Sequence, residues 1–329
     1  MAQIVRYGAY LPRHRISVKE IQDFYGRPGR PRSRTLATPG LDEDPLTMAY
    51  EASVATIGRD GAELGALIVA SQAPPFGLRK FSATLARALG VSGADHFDLG
   101  AHPAGLLDGL ALADALAAAG RGPVLVVASD HLVAYEERVA DMLSAGGAAA
   151  FLIGGDGGVA ELGAERRASE EVFDVWRLGT EPEARYRLEV LFGTYGAVAK
   201  TALAALEEAT GRPAGDYASV AASQPHPQTL RALGRLGVGK EQLAGTSFVG
   251  EIGNLGTASA GFALALALDA AEAGQHVLAF GYGGGEGIAR EIEVTAATPD
   301  SGAAGMIEGQ AISLSTYYRW TRGRQVEPH

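Results

Sequence analysis

The stretch from Phe97 to Asp130, FDLGAHPAGLLDGLALADALAAAGRGPVLVVASD, restricts the fold of this chain more than any other. Its helical portion is Ala, Leu and Gly on nearly every side, and a helix without a polar face cannot rest on a surface. It must be sandwiched between two sheets. A short strand at Phe97 to Leu99, a turn from Gly100 to His102, a helix beginning near Pro103 and an apolar strand from Pro123 to Ala128 give the local order. The first turn of such a helix presents N–H donors and positive potential to the interior, a natural place for a nucleophile or an oxyanion. The residue there is a proline.

With 329 residues and 47% hydrophobic side chains, the chain can build two domains or one large layered one. Asp108 and Asp114 interrupt its longest apolar run, short of the roughly 20 residues of a membrane span, and Met1 to Arg15 lacks a signal-peptide core. A cytoplasmic protein is expected. The absence of cysteine excludes disulfides, thiolate-held zinc and a cysteine nucleophile, and no metal site is expected. A net charge of −10 argues against nucleic acid as a partner, although Arg27, Arg30, Arg32 and Arg34 form a local basic run. That run reads equally as a solvated loop or as a site for an acidic ligand or partner.

Along the chain, Ile4 to Tyr10 reads as a strand and Ser17 to Tyr25 as a helix capped by Ser17. Gly26 to Gly40 reads as a proline-rich surface loop, and a helix follows with Asp44 at its cap and Pro45 in first position. Ala66 to Ser71 is a buried strand whose end, Gln72 to Pro75, is where α/β proteins hold chemistry. Phe81 to Leu89 should be helical. A polar helix around Tyr135 to Leu143, a strand from Gly147 to Ile153 and a turn at Gly154 to Gly158 close the first half.

The second half follows the same plan: helix Glu189 to Thr210, strand Tyr217 to Ala222, helix Pro227 to Leu236, a glycine-flanked turn at Asn254, buried helix Ala258 to Ala273 and strand His276 to Phe280. ALAAAGRGPVLVVAS and LDAAEAGQHVLAFGY show the same succession of buried helix, glycine, turn and apolar strand. Two such units predict a duplicated α/β fold of five layers, αβαβα, with halves at 1–162 and 163–329.

The segments YGAYLPRHRISVKEI, PGLDEDPLTMAYEAS, IVASQAPP, DVWRLGTEP, EIGNLGTAS and ISLSTYYRWTRGR together resemble the thiolase superfamily, most closely its compact archaeal and bacterial 3-hydroxy-3-methylglutaryl-CoA synthase branch. The resemblance implies the thiolase fold and a site at the tip of the buried helix. The family's nucleophilic cysteine position falls on Pro103, with His102 beside it as a possible displaced catalytic group or an ordinary hydrogen-bonded histidine. The acid/base glutamate position falls on Gln72, whose amide cannot exchange protons near neutral pH. The histidine position falls on Ser223 or, if the phrase Pro225-His226 is aligned as in ketoacyl synthases, on His226. Asn254 matches the family asparagine that binds the thioester oxygen or orients the histidine; a plain left-handed turn is the alternative. Gly283 and Gly284 in GYGGGEG match the oxyanion loop, and no phosphate-binding lysine follows them.

Relatives of this type work in complexes with a thiolase and a small zinc-ribbon and OB-fold protein. The resemblance therefore implies a homodimer, or a heterodimer with a thiolase-type chain, paired through an edge near Asp95 to Leu99. It implies no tightly bound cofactor, with acyl-CoA or an acyl-carrier thioester as ligand. Joint loss of Cys, Glu and the usual His favours a non-catalytic subunit of an acyltransferase assembly. A stand-alone acyltransferase using His226 or His102 with Asn254, and a thioester or β-diketone hydrolase using Ser223, are the other readings.

Overall fold

Two helices, α4 (Gly105–Ala118) and α9 (Ser259–Asp269), carry almost no polar side chains; α9 is buried nearly throughout, whereas α4, expected to be buried on every side, buries one face through Leu106, Leu107, Gly109, Leu110 and Ala113 and leaves Ala115 and Ala118 exposed. In the computed structural model, residues 2–100, 102–133, 143–155, 157–178, 181 and 183–323 are described. The strands of the main sheet are β1 (Gln3–Tyr10), β4 (Ala66–Ser71), β5 (Asp95–Gly100), β6 (Val124–His131), β7 (Gly146–Gly154), β8 (Ala160–Ser169), β11 (Ser219–Ala222), β12 (His276–Gly283) and β13 (Glu286–Val294). They form one ladder in the order β11-β12-β13-β8-β1-β7-β6-β4-β5. The ladder narrows at β1 and β8, which meet only at Gln3/Glu161 and Ile4/Ala160.

Around that seam the sheet encloses α4 and α9, which share one apolar core with the inner faces of both half-sheets. Gly261 of α9 allows the close approach: a Cβ there would lie 2.8 Å from both Ala149 Cβ and Leu106 Cδ2. A second core lies under α2 (Pro45–Ile57) and α3 (Phe81–Ala88), and a third under α5 (Leu188–Thr210) and α6 (Pro227–Gly234). Helix, sheet, helix pair, sheet, helix is the expected αβαβα layering. Among the described residues, no helix is long and apolar enough to cross a membrane.

The second half is not a full copy of the first. Among the described residues five strands build one side of the seam and four the other, with no strand beyond β11 where β5 lies beyond β4. Helix α7 (Lys240–Ala244) packs against β11 instead, with Gln242 Nε2 donating to the Tyr217 carbonyl at 2.6 Å and Thr246 Oγ1 to that of Val220 at 2.6 Å.

The expected loop at Gly26 to Gly40 contains a strand. Here β3 (Thr35–Thr38) pairs with β2 (His14–Ser17), and β14 (Gln310–Ala311) joins the other side of β2. Buried Arg15 fastens that strap: its guanidinium donates to the carbonyls of Pro12, His14, Met306 and Ile307, and burial lowers its pKa to about 10. Helix α1 (Val18–Phe24) follows β2 and is capped by Ser17 as expected. The last described elements are α10 (Ala303–Met306) and α11 (Leu314–Gly323), the second of them inside the quoted segment ISLSTYYRWTRGR. The helix expected at Tyr135 to Leu143 lies outside the described residues but for Leu143.

Candidate active site

The site is assembled where β4, β6, β12 and the entry to α4 converge. The helix begins two residues later than Pro103, because Gly105 N–H first closes a turn onto the His102 carbonyl at 3.2 Å. Pro103 therefore fills the approach to the helix rather than its first turn, and it has no N–H to offer the cavity. Gly283, the last residue of β12, packs directly on it. Beyond Gly283 the chain reverses through Gly284 and Gly285, both at positive φ, as a two-residue hairpin turn into β13 requires.

Around Pro103 lie Gln72, Leu132, Asp174, Tyr186, Asn254 and Tyr282. The cavity they enclose measures about 20 Å³, room for a single water. Gln72 is held rather than available. Its side-chain Nε2 donates to Asp130 Oδ2 at 3.1 Å and its backbone N–H to Oδ1 at 2.9 Å. Asp130, at the end of β6 and fully buried, also accepts from Ser71 Oγ at 2.9 Å, Ala73 N–H at 3.0 Å, Thr257 N–H at 2.8 Å and the Thr257 hydroxyl. Six donors satisfy one carboxylate, which is how a buried charge is tolerated.

Opposite Pro103, the Tyr282 hydroxyl donates to Asp174 Oδ2 at 2.5 Å. Burial first, and then that carboxylate, push the phenol well above its ordinary pKa. Asp174 also accepts from the Val175 N–H at 2.7 Å. Tyr186, at the end of the two-residue strand β10 (Arg185–Tyr186) that pairs with β9 (Val175–Trp176), is likewise shifted upward by burial and by Asp130. Asp130, Asp174, Tyr186 and Tyr282 were not singled out by sequence. The only signals were an acidic residue closing the strand VLVVASD and another opening DVWR.

The residues expected at the site divide. Pro103, Gln72, Asn254, Gly283 and Gly284 share the cavity. Asn254 is not left-handed. Gly253 and Gly256 on either side take the positive φ values, while Asn254 Oδ1 accepts from the Gly256 N–H at 2.9 Å in an Asx turn. Ser223 lies behind the wall, its Oγ accepting from the Tyr282 N–H at 3.1 Å. His226 caps α6, with Nδ1 accepting from the Gln228 N–H at 3.1 Å and its ring 4.8 Å from Phe192.

His226 instead lines a separate open groove of about 580 Å³ together with Arg30, Arg32, Arg34 and Arg231. The basic loop is pinned there. Arg34 N–H donates to the Gly250 carbonyl at 2.8 Å and Thr35 Oγ1 to that of Glu251 at 2.7 Å, both in α8 (Val249–Ile252).

His102 points away from the cavity. Its Nε2 lies 2.9 Å from Asp108 Oδ2 and 3.8 Å from Glu286 Oε2, while Arg167 binds the other oxygen of each carboxylate. Burial alone would raise the Asp108 carboxyl, but its bonds to His102 and Arg167 outweigh that and hold it below the ordinary value. A depressed folded-state pKa stabilises above the unfolded carboxyl value, near 4, and that stability is lost as pH falls through the folded value. Wild type is expected to exceed Asp108→Asn in melting temperature at pH 7, with the gap closing as pH falls below the ordinary carboxyl value; a gap constant with pH would refute this assignment.

No protein-family model matches the chain. Solved structures share its fold at low identity. An HMG-CoA synthase complexed with CoA superposes with a TM-score of 0.85, covering 97% of this chain and 89% of that one at 16% identity. The 3-oxoacyl-(acyl carrier protein) synthase III of Pseudomonas aeruginosa superposes at 0.81, covering 91% and 99% at 22% identity. These place the chain in the thiolase fold. Sequence relatives are nearer. The hydroxymethylglutaryl-CoA synthase of Archaeoglobus fulgidus is 30% identical over 301 residues, 87% of each chain. That of Aeropyrum pernix is 31% identical over 302 residues, 87% of this chain and 82% of the other. With identity of this level over 87% of its length, the chain belongs to the hydroxymethylglutaryl-CoA synthase family.

Proposed function

We propose that this chain is a synthase-family subunit that has given up covalent catalysis and supports an acyltransferase assembly handling acyl thioesters. The observation that carries the reading is the cavity at Pro103. It has room for about one water; among the described residues no thiol and no serine or threonine hydroxyl borders it, its two tyrosines are held protonated by burial, and the amide at the acid/base position is committed to Asp130. An acyl group needs several times that volume.

The arginine-lined groove suits the phosphates of CoA or of a carrier's pantetheine arm, and supports retention of thioester binding without the acyl-transfer step. Strand β5 supports the partner reading. It is hydrogen-bonded on one side only, and exposed Phe76 and Leu78 flank the groove beside it. Paired with a second copy or a thiolase-type chain, that edge would be completed.

Incubating the pure chain with acetyl-CoA and acetoacetyl-CoA is expected to release no CoA above the uncatalysed background. Pro103→Cys/Gln72→Glu is expected to gain no acetyl adduct by intact mass, since the cavity stays closed. Steady turnover by the native chain, or rapid acylation of the double variant, would overturn the proposal and favour a stand-alone acyltransferase.

A further inference from the structure

The cluster around His102 has a use that neither the family site nor the layered core explains. We propose that His102, Asp108 and Glu286 form a site for a first-row divalent cation such as Zn²⁺, clasping the entry of α4 to the start of β13. This inference is independent of the function proposed above.

Three observations carry it. One donor atom from each of His102, Asp108 and Glu286 lies within 4.8 Å of the other two, and His102 Nε2 stands 2.9 Å from Asp108 Oδ2 and 3.8 Å from Glu286 Oε2. Ligands held about 2.0 to 2.2 Å from a tetrahedral zinc stand roughly 3.3 Å apart, between those two distances. The donor set of one imidazole nitrogen and two carboxylates suits Zn²⁺ and its neighbours rather than Mg²⁺ or Ca²⁺, and leaves a fourth position for water.

The outer oxygens are already held. Arg167 binds Asp108 Oδ1 and Glu286 Oε1, leaving the inner oxygen of each carboxylate turned toward the imidazole. Such outer-shell contacts fix ligand orientation in metal sites. The local charge also calls for a cation. Arg167 continues to Glu165, which meets Arg290, which meets Asp114. Four carboxylates thus face two guanidiniums, leaving two negative charges unbalanced when His102 is neutral. A dication closes that balance, whereas an imidazolium closes half of it.

The ligands come from opposite sides of the seam, so binding should resist thermal separation of the two half-sheets. The test uses the full chain stripped with chelator, titrated with ZnCl₂ by calorimetry and with CoCl₂ by its visible absorption. One equivalent of each ion should bind saturably, and Zn²⁺ should raise the melting temperature. Glu286→Gln, which keeps the shape and the fold, and His102→Gln should each weaken binding about tenfold or more and abolish the thermal shift. Absence of saturable binding, or binding equal in wild type and Glu286→Gln, would overturn the proposal and leave His102 as a simple ion-pair partner.

Discussion

Asp130→Ala is expected to destabilise the fold by about 3 to 5 kcal/mol, the range for removing one member of a buried, hydrogen-bonded charge network. The carboxylate has no exposure and satisfies six donors from two places: the end of β4 with the Gln72 turn, and the Gly256–Ala258 turn before α9. Alanine would strand the backbone N–H groups of Gln72, Ala73 and Thr257 without acceptors. Denaturant midpoints followed by circular dichroism and by tryptophan fluorescence would measure the loss. A cost below about 1 kcal/mol would mean that water takes the carboxylate's place and that this junction is not dry.

Gly283→Ala is expected to cost about 2 to 3 kcal/mol by overpacking, and to cost it through one neighbour. The new Cβ would lie 2.5 Å from Pro103 N and 3.0 Å from Ala104 N, as well as against the proline ring, and backbone atoms cannot swing aside. At Gly284 a Cβ meets nothing nearer than 3.6 Å, so Gly284→Ala should cost only the strain of its positive φ, on the order of 1 kcal/mol. Combining Gly283→Ala with Pro103→Ala should recover part of the loss, because the ring is one of the colliding groups. A double-mutant cycle with no coupling would show that β12 and the α4 entry do not press on each other as described.

The buried helices were legible in sequence because composition alone settles where an all-apolar helix can go. GFALALALDAA has almost no face to give to water and is buried nearly throughout, whereas LADALAAAG, equally apolar, buries Ala113 and exposes Ala115 and Ala118, so composition placed one helix fully and the other by one face. Strands with charge on them were not legible. AELGAERRAS and EGIAREIEV alternate imperfectly and carry Arg and Glu that face the α4 entry, yet they form β8 and β13 and close the sheet. Short β2, β3 and β14 were hidden for another reason: Pro and Arg around them read as loop, and β14 reaches β2 from the far end of the chain, Gln310 pairing with His14.

The site was half legible. Pro103, Gln72, Asn254 and the glycine pair come together as their order suggested, but the residues that hold the place closed do not announce themselves. Asp130 is one polar residue at the end of a strand until Gln72, 58 positions earlier, and Thr257, 127 positions later, are brought to it. His226 could not be placed by motif because the turn Ser223-Gln224-Pro225 sets which way it faces. Gln224, buried and bonded to Thr246, Phe248 and Val249, fixes that turn from the far side.

The uneven sheet, five strands against four, sets a valence. Along the main sheet β5 keeps an unmatched row of peptide groups, while at the other end α7 and the side chains of Gln242 and Thr246 already occupy β11. If two copies were to pair through β5, the main sheet would offer no second free edge strand of the same kind among the described residues, so strand addition along that sheet would stop at two rather than run on as a fibre.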